Sequence, residues 1–219
     1  MSFLKHYGSY FLLGGVLSDF LTPYILGIFY PAMDQMTMVM SVFGDVNSPV
    51  RNAFLVWSVV SGLFFVCALP WLYQQFAETS HILSILLTST VGLYGIGDCI
   101  FTGLFSIDTE QASWTFSTWV HNIGSGLGYT GFLLFPFVLY LLYKKKQDTF
   151  NSKLYLSLFF ASVLFAGIYG LARIPALNHF PVLNQIGFCQ RISFVFNYLP
   201  MVIFSFKQFP QKKRITKVN

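Results

Sequence analysis

The sequence predicts an all-α membrane protein, a bundle of six transmembrane helices with a longer outer loop between the first and second. Three observations lead there. Of 219 residues, 55% are hydrophobic and only 10% charged, against about 25% charged in a soluble domain. Aromatic residues reach 19%, a bias that suits rings set against lipid tails and headgroups. Six apolar stretches are each long enough to cross ~30 Å of hydrocarbon, which takes roughly 20 helical residues.

The first span, 8–30, follows Lys5 and His6. It lacks a small-residue cleavage site and is too long for a signal-peptide core, so it reads as a retained signal anchor. The second and third spans, 53–73 and 82–105, are joined by a short connection over 74–81. The fourth, 118–143, and the fifth, 154–174, flank the Lys-rich stretch 144–153. The sixth, 187–207, leads into a basic tail, 208–219. No Ser/Gly linker, low-complexity tract or internal repeat interrupts the series, which reads as a single six-span domain over 1–219.

Charge sets the expected orientation. Lys5, Lys144, Lys145, Lys146, Lys153, Lys207, Lys212, Lys213, Arg214 and Lys217 fall on one side, and Arg51, Arg173 and Arg191 on the other. Short cytoplasmic segments retain Lys and Arg, so both termini are expected inside (N-in/C-in), with 31–52, 106–117 and 175–186 outside. The same clustering makes the net charge of +5 a topology signal rather than a nucleic-acid footprint. The expected location is a multi-pass position in a cytoplasmic membrane, with the lipid bilayer as the first partner. Protein partners are not legible in the sequence.

Cys67, Cys99 and Cys189 have no C-x-x-C spacing and form no disulfide framework; Cys99 and Cys189 are both expected toward the outer face, where a bridge is conceivable but packing as small hydrophobes is simpler. Gly92, Gly95 and Gly97 in the third span and Gly124, Gly126, Gly128 and Gly131 in the fourth suggest close helix approach, and the four-residue spacing of Gly124 and Gly128 marks a packing face. With no strand before it, the glycine run is not a phosphate-binding loop.

Ionisable residues inside a membrane are costly and therefore site candidates. Here they are Asp19, Asp98, His121, Arg173 and Arg191. Asp98 lies ~10 Å below the outer end of the third span at the helical rise. His121 opens the fourth, and Ser125 and Tyr129 follow at four-residue intervals on one face. Gln190 and Arg191 begin the sixth. The outer loops add Asp34, Ser41, Asp45, Ser48, Arg51, Asn52, Asp108, Glu110 and His179, so polar groups converge on the outer side.

Three readings of that convergence stand together. Arg191 and Arg173 can pair with Asp98 and Asp108 purely to hold helices together. His121 can act as general acid or base, oriented by Asp108 or Asp98, with Arg191 on an anionic headgroup and hydrolysis or group transfer on an outer-leaflet lipid as the reaction. Or the cavity can serve transport, binding a small anion or ion, with Asp19 near the middle of the first span as a relay. In the ligand-bearing readings Ser41, Asp45, Asn52, Gln190, Arg191 and Arg173 would line the site.

No cofactor is expected, since no attachment motif is present. His121, His179, Asp98 and Asp108 are chemically able to hold zinc but lack a metal-site spacing. His6 and His81 sit at cytoplasmic span ends and do not face each other as haem ligands would. Met33, Met36, Met38 and Met40 can offer thioethers to Cu(I), though flexible apolar packing over the helix mouths explains them more simply.

Several ordered motifs carry a resemblance. Ser41-Val-Phe-Gly44-Asp45 is followed by Ser48-Pro49 and Asn52; Gly103-Leu-Phe-Ser-Ile-Asp108 closes the third span; Val120-His121 opens the fourth; Gly187-Phe-Cys-Gln190-Arg191 opens the sixth. In this order they resemble the bacterial membrane-protein family catalogued as domain of unknown function 998. The chain departs from that pattern at Val42 and Phe43 and in its Met-rich approach to the first motif. The resemblance implies six helices and a bacterial inner-membrane location, and it supplies no activity.

Overall fold

The computed structural model describes residues 2–208; the basic tail expected over 208–219 lies, beyond Gln208, outside them. Six helices are long and apolar enough to cross a membrane: α1 (Ser2–Ile28), α2 (Arg51–Gln74), α3 (His81–Leu104), α4 (Phe116–Lys145), α5 (Thr149–Ala172) and α6 (Ile186–Lys207). Among the described residues there is no strand, only one isolated parallel bridge between Asp45 and Ile107.

The helices begin somewhat earlier than hydropathy suggests, at Ser2 rather than 8 and at Thr149 rather than 154. The helices continue through Lys5, His6 and Lys153, all of them exposed. Two of the helix starts carry side-chain caps. The Thr115 side chain accepts from the Thr118 N–H at 3.2 Å ahead of α4. Asp148 accepts from the Asn151 N–H at 3.0 Å and from its Nδ2 at 2.6 Å ahead of α5. Each cap satisfies a backbone donor that the first turn leaves without a partner. The bonds from the Asn151 side chain and backbone hold the Asp148 carboxyl below its ordinary range.

Consecutive helices pack side by side and the ring closes through α6 against α1. Tolerance of Pro within spans has a visible cause at one of them. Pro200, inside α6, has no N–H to offer the Phe196 carbonyl one turn earlier, and the Ser162 hydroxyl of α5 donates to that carbonyl at 3.0 Å. A missing backbone bond becomes a bond between helices.

The end of the bundle that carries Lys5 and Lys144–Lys146 is filled by one aromatic-rich core including Phe65, Trp71, Phe76, Phe135 and Phe204, with the Phe76 and Phe204 rings stacked 5.9 Å apart. The opposite end is covered by residues 29–50, the longest connection, whose single 3-10 turn (Met40–Gly44) lies over the helix mouths. A smaller cluster of Leu26, Met33, Phe43, Val50 and Phe54 seats it. Met33 is thus buried in an apolar cluster while Met36 is exposed. Cys99 and Cys189 are both free thiols.

Candidate functional site

Beneath the Met40–Gly44 turn is a cavity of about 50 Å³. Asp19 of α1, Asp98 of α3, His121 and Ser125 of α4 and Gln190 of α6 line it, and Met40 and Ser41 form its cover. No Lys or Arg is among its lining residues. A water needs roughly 10–15 Å³ of such volume, so the space suits a few waters or a solute of that size and is too small for a lipid headgroup.

Asp98 sits in a local departure from ideal helix. In α3, the segment Tyr94–Phe101 widens to a π-helix, a feature frequent at functional sites. Around it, α3 and α4 touch backbone to backbone. A Cβ on Gly97 would stand 2.6 Å from the Gly124 carbonyl oxygen, and one on Gly128 would stand 2.6 Å from the Asp98 Cβ. Glycine at these positions lets α4 approach closely enough for the Ser125 hydroxyl to donate to Asp98 Oδ1. The packing face expected from Gly124 and Gly128 is therefore the surface that positions Asp98, whereas Gly126 meets nothing within 4 Å.

Asp19 is buried, and Tyr94, Tyr198 and Cys99 all approach its Oδ2, Tyr198 at 2.6 Å and the Cys99 sulfur at 3.9 Å. The two tyrosine hydroxyls are themselves 2.9 Å apart. His121 is also buried. Its Nδ1 lies 2.8 Å from the Phe105 carbonyl oxygen; since a carbonyl only accepts, Nδ1 carries the proton and Nε2 is the ring's acceptor.

The cover is tied down from below. Arg191 Nη1 donates to the carbonyls of Gln35 at 2.7 Å, Met38 at 3.1 Å and Gly187 at 2.9 Å, and Nε donates to Gln35 Oε1 at 3.2 Å. Gln190 Oε1 accepts from the Met40 N–H at 2.7 Å. On the far side, Asp45 Oδ2 accepts from the Thr109 N–H at 2.9 Å and its hydroxyl at 2.7 Å, and Oδ1 accepts from the Asn47 N–H at 2.9 Å. This joins the 29–50 connection to the loop before α4.

Burial pushes the Asp45 carboxyl up, but its hydrogen bonds and the Arg51 charge outweigh that and leave it below the ordinary carboxylate value. A depressed carboxylate stabilises the fold in full above its unfolded pKa and loses that contribution as pH falls through the lower, folded value. Wild type should therefore exceed Asp45→Ala in melting temperature by a steady margin down to about pH 5, and the two should converge in acid below the unfolded carboxylate range. Thermal unfolding across pH reads this directly.

Of the residues expected at the site, Asp98, His121, Ser41 and Gln190 meet at the cavity. The others do not. Arg191 faces backbone carbonyls, so the expected pairing with Asp98 or Asp108 gives way to a latch on the loop. Arg173 is exposed, with its guanidinium 5.7 Å from the Tyr169 ring. Asp108 Oδ1 accepts from the Glu110 N–H at 3.2 Å within its own turn; the Phe105 carbonyl, not a carboxylate, orients His121. Asn52 is exposed on an outward groove beside Trp57, and Asp45 staples loops. Asp19, read from sequence as a separate relay, joins Asp98 in one cavity. Tyr94 and Tyr198 had no signal in the sequence, since tyrosine is ordinary in apolar helices. Among the described residues, no three His, Cys, Asp or Glu side chains group as metal ligands.

A family model described as a protein of unknown function, DUF998, matches residues 13–207. The chain belongs to the DUF998 family. No curated protein and no solved structure matches it. Of the motif residues through which the sequence resembles DUF998, Ser41, His121 and Gln190 line the cavity, Asp45, Asp108 and Arg191 hydrogen-bond within and between the loops, and Asn52 is exposed apart from both.

Proposed function

We propose that this DUF998 protein binds protons at an intramembrane carboxylate cavity and couples them to movement of a small polar solute across the membrane. The observation that carries this reading is that Asp19 and Asp98 share one small cavity with no Lys or Arg among its lining residues. Carboxylates removed from water require a compensating positive charge, and this wall offers only the His121 imidazole besides a proton. Neutral donors alone face Asp19: the Tyr94 and Tyr198 hydroxyls and the Cys99 thiol all point to its Oδ2.

The lipid or small-anion reading draws less support, because the Arg191 guanidinium, the group that would hold a phosphate, donates to the loop instead. The catalytic reading lacks a carboxylate orienting His121. With both termini inside, as the Lys distribution leads us to expect, the cover would face outward, and release of residues 29–50 would open the carboxylates to that side.

Two measurements test the proposal. Infrared difference spectra across pH should show a carboxylic-acid C=O band that disappears in Asp19→Asn. Vesicles reconstituted with the protein and an internal pH dye should lose at least about tenfold of their proton flux, or ~1.4 kcal/mol or more in the barrier, in Asp19→Asn and in Asp98→Asn. Unaltered band and flux in both variants would remove the idea.

A further inference from the structure

A second, larger recess lies apart from the carboxylate cavity. A groove of about 800 Å³ opens on the outward face of the bundle along α2, α3 and α4. Its floor is formed where side chains are small, at Ser89, Gly92, Gly97 and Gly124, and its banks are apolar, with Leu69 and Ile96 among them. Lys5 is among its lining residues, as is Gln74 at the end of α2. From Ile85 to Phe101 the recess runs roughly 20 Å along α3, more than the ~15 Å depth of one leaflet's hydrocarbon.

We infer that this groove holds an anionic phospholipid from the leaflet at the Lys-rich end, its phosphate at Lys5 and one acyl chain laid along the small-residue floor. Charge selects the headgroup, because Lys5 is exposed at the level of the helix ends and a basic residue there attracts anionic lipid. Shape selects the chain, because the floor is narrow, apolar and open to the side. Gly97 and Gly124, whose backbones meet beside Asp98, belong to the groove's lining. A seated chain therefore braces the wall of the carboxylate cavity from behind.

The groove can be filled without disturbing the helices. A Cβ at Gly92 meets only Leu69 Cδ1, at an ordinary 3.6 Å, so Gly92→Leu should fold and project its side chain into the recess. The full-length protein, reconstituted in nanodiscs of equal phosphatidylglycerol and phosphatidylcholine and then released into mild detergent, should retain phosphatidylglycerol by native mass spectrometry. Gly92→Leu should lose it, and Lys5→Gln should weaken retention about fivefold, as expected for one basic residue at an anionic surface. Lys5→Gln alters an exposed position and keeps the test open should Gly92→Leu fold poorly. Equal retention of both lipids, or retention unaffected by either substitution, would overturn the inference. So would disulfide crosslinking of two copies through Ser89→Cys, which would make the occupant a second chain.

Discussion

Gly128→Val should remove most of the folded protein from detergent extracts, while Gly126→Val, two residues away, should leave the yield and melting temperature unchanged. The contrast follows from what each new side chain meets. At Gly128 the added carbon falls 2.6 Å from the Asp98 Cβ and 3.0 Å from its Cα; at Gly126 nothing lies within 4 Å. Overpacking against flexible side chains typically costs about 1–3 kcal/mol, but here the obstacle includes the backbone of a π turn, which has no rotamer to change. A loss of about 4 kcal/mol or more, in the range reserved for severe single substitutions, is expected. Gly97→Val should behave in the same way, since its Cβ would meet the Gly124 carbonyl oxygen. Tryptophan fluorescence during thermal unfolding, with size-exclusion profiles, measures both. Equal behaviour of the 126 and 128 variants would mean that α3 and α4 do not cross as described.

The spans were legible because a lipid-facing helix must satisfy its backbone internally and bury apolar side chains, and both demands leave a hydropathy signal of the right length. The face carrying Gly124 and Gly128, and the stripe carrying His121 and Ser125, were legible because helical periodicity places residues four apart together. The π turn was not, as hydropathy is blind to a local change in hydrogen-bond register. Without it, the rotation that brings Tyr94 and Cys99 onto Asp19 while Asp98 faces Ser125 has no trace in the pattern. Asp19 itself stood out as an intramembrane charge, but the helix it meets depends on the rotation of α1, which charge and spacing do not encode.

That same blindness explains Arg191, and it makes Arg191→Met the other substitution of large effect. A cation at an outer helix end reads as a ligand for an anion because backbone carbonyls, its real partners, are invisible in a sequence. Its planar fork reaches three carbonyls and one amide oxygen, on both the 29–50 connection and the first turn of α6. Methionine would fill much of the volume and satisfy none of them. Each buried acceptor left without a donor costs about 1–3 kcal/mol, so a loss of about 3–5 kcal/mol is expected, concentrated in the cover rather than in the aromatic core. Hydrogen exchange and limited proteolysis should accelerate within 29–50 before the helices melt. Arg191→Lys should rescue only part of the loss, since an ammonium on a flexible stem cannot hold the fork geometry. If the cover is what isolates Asp19 and Asp98 from water, the loosened variant should also admit a water-soluble carboxylate reagent to Asp98 that wild type excludes. Protection of Asp98 in a variant with a demonstrably loosened loop would separate the latch from the cavity.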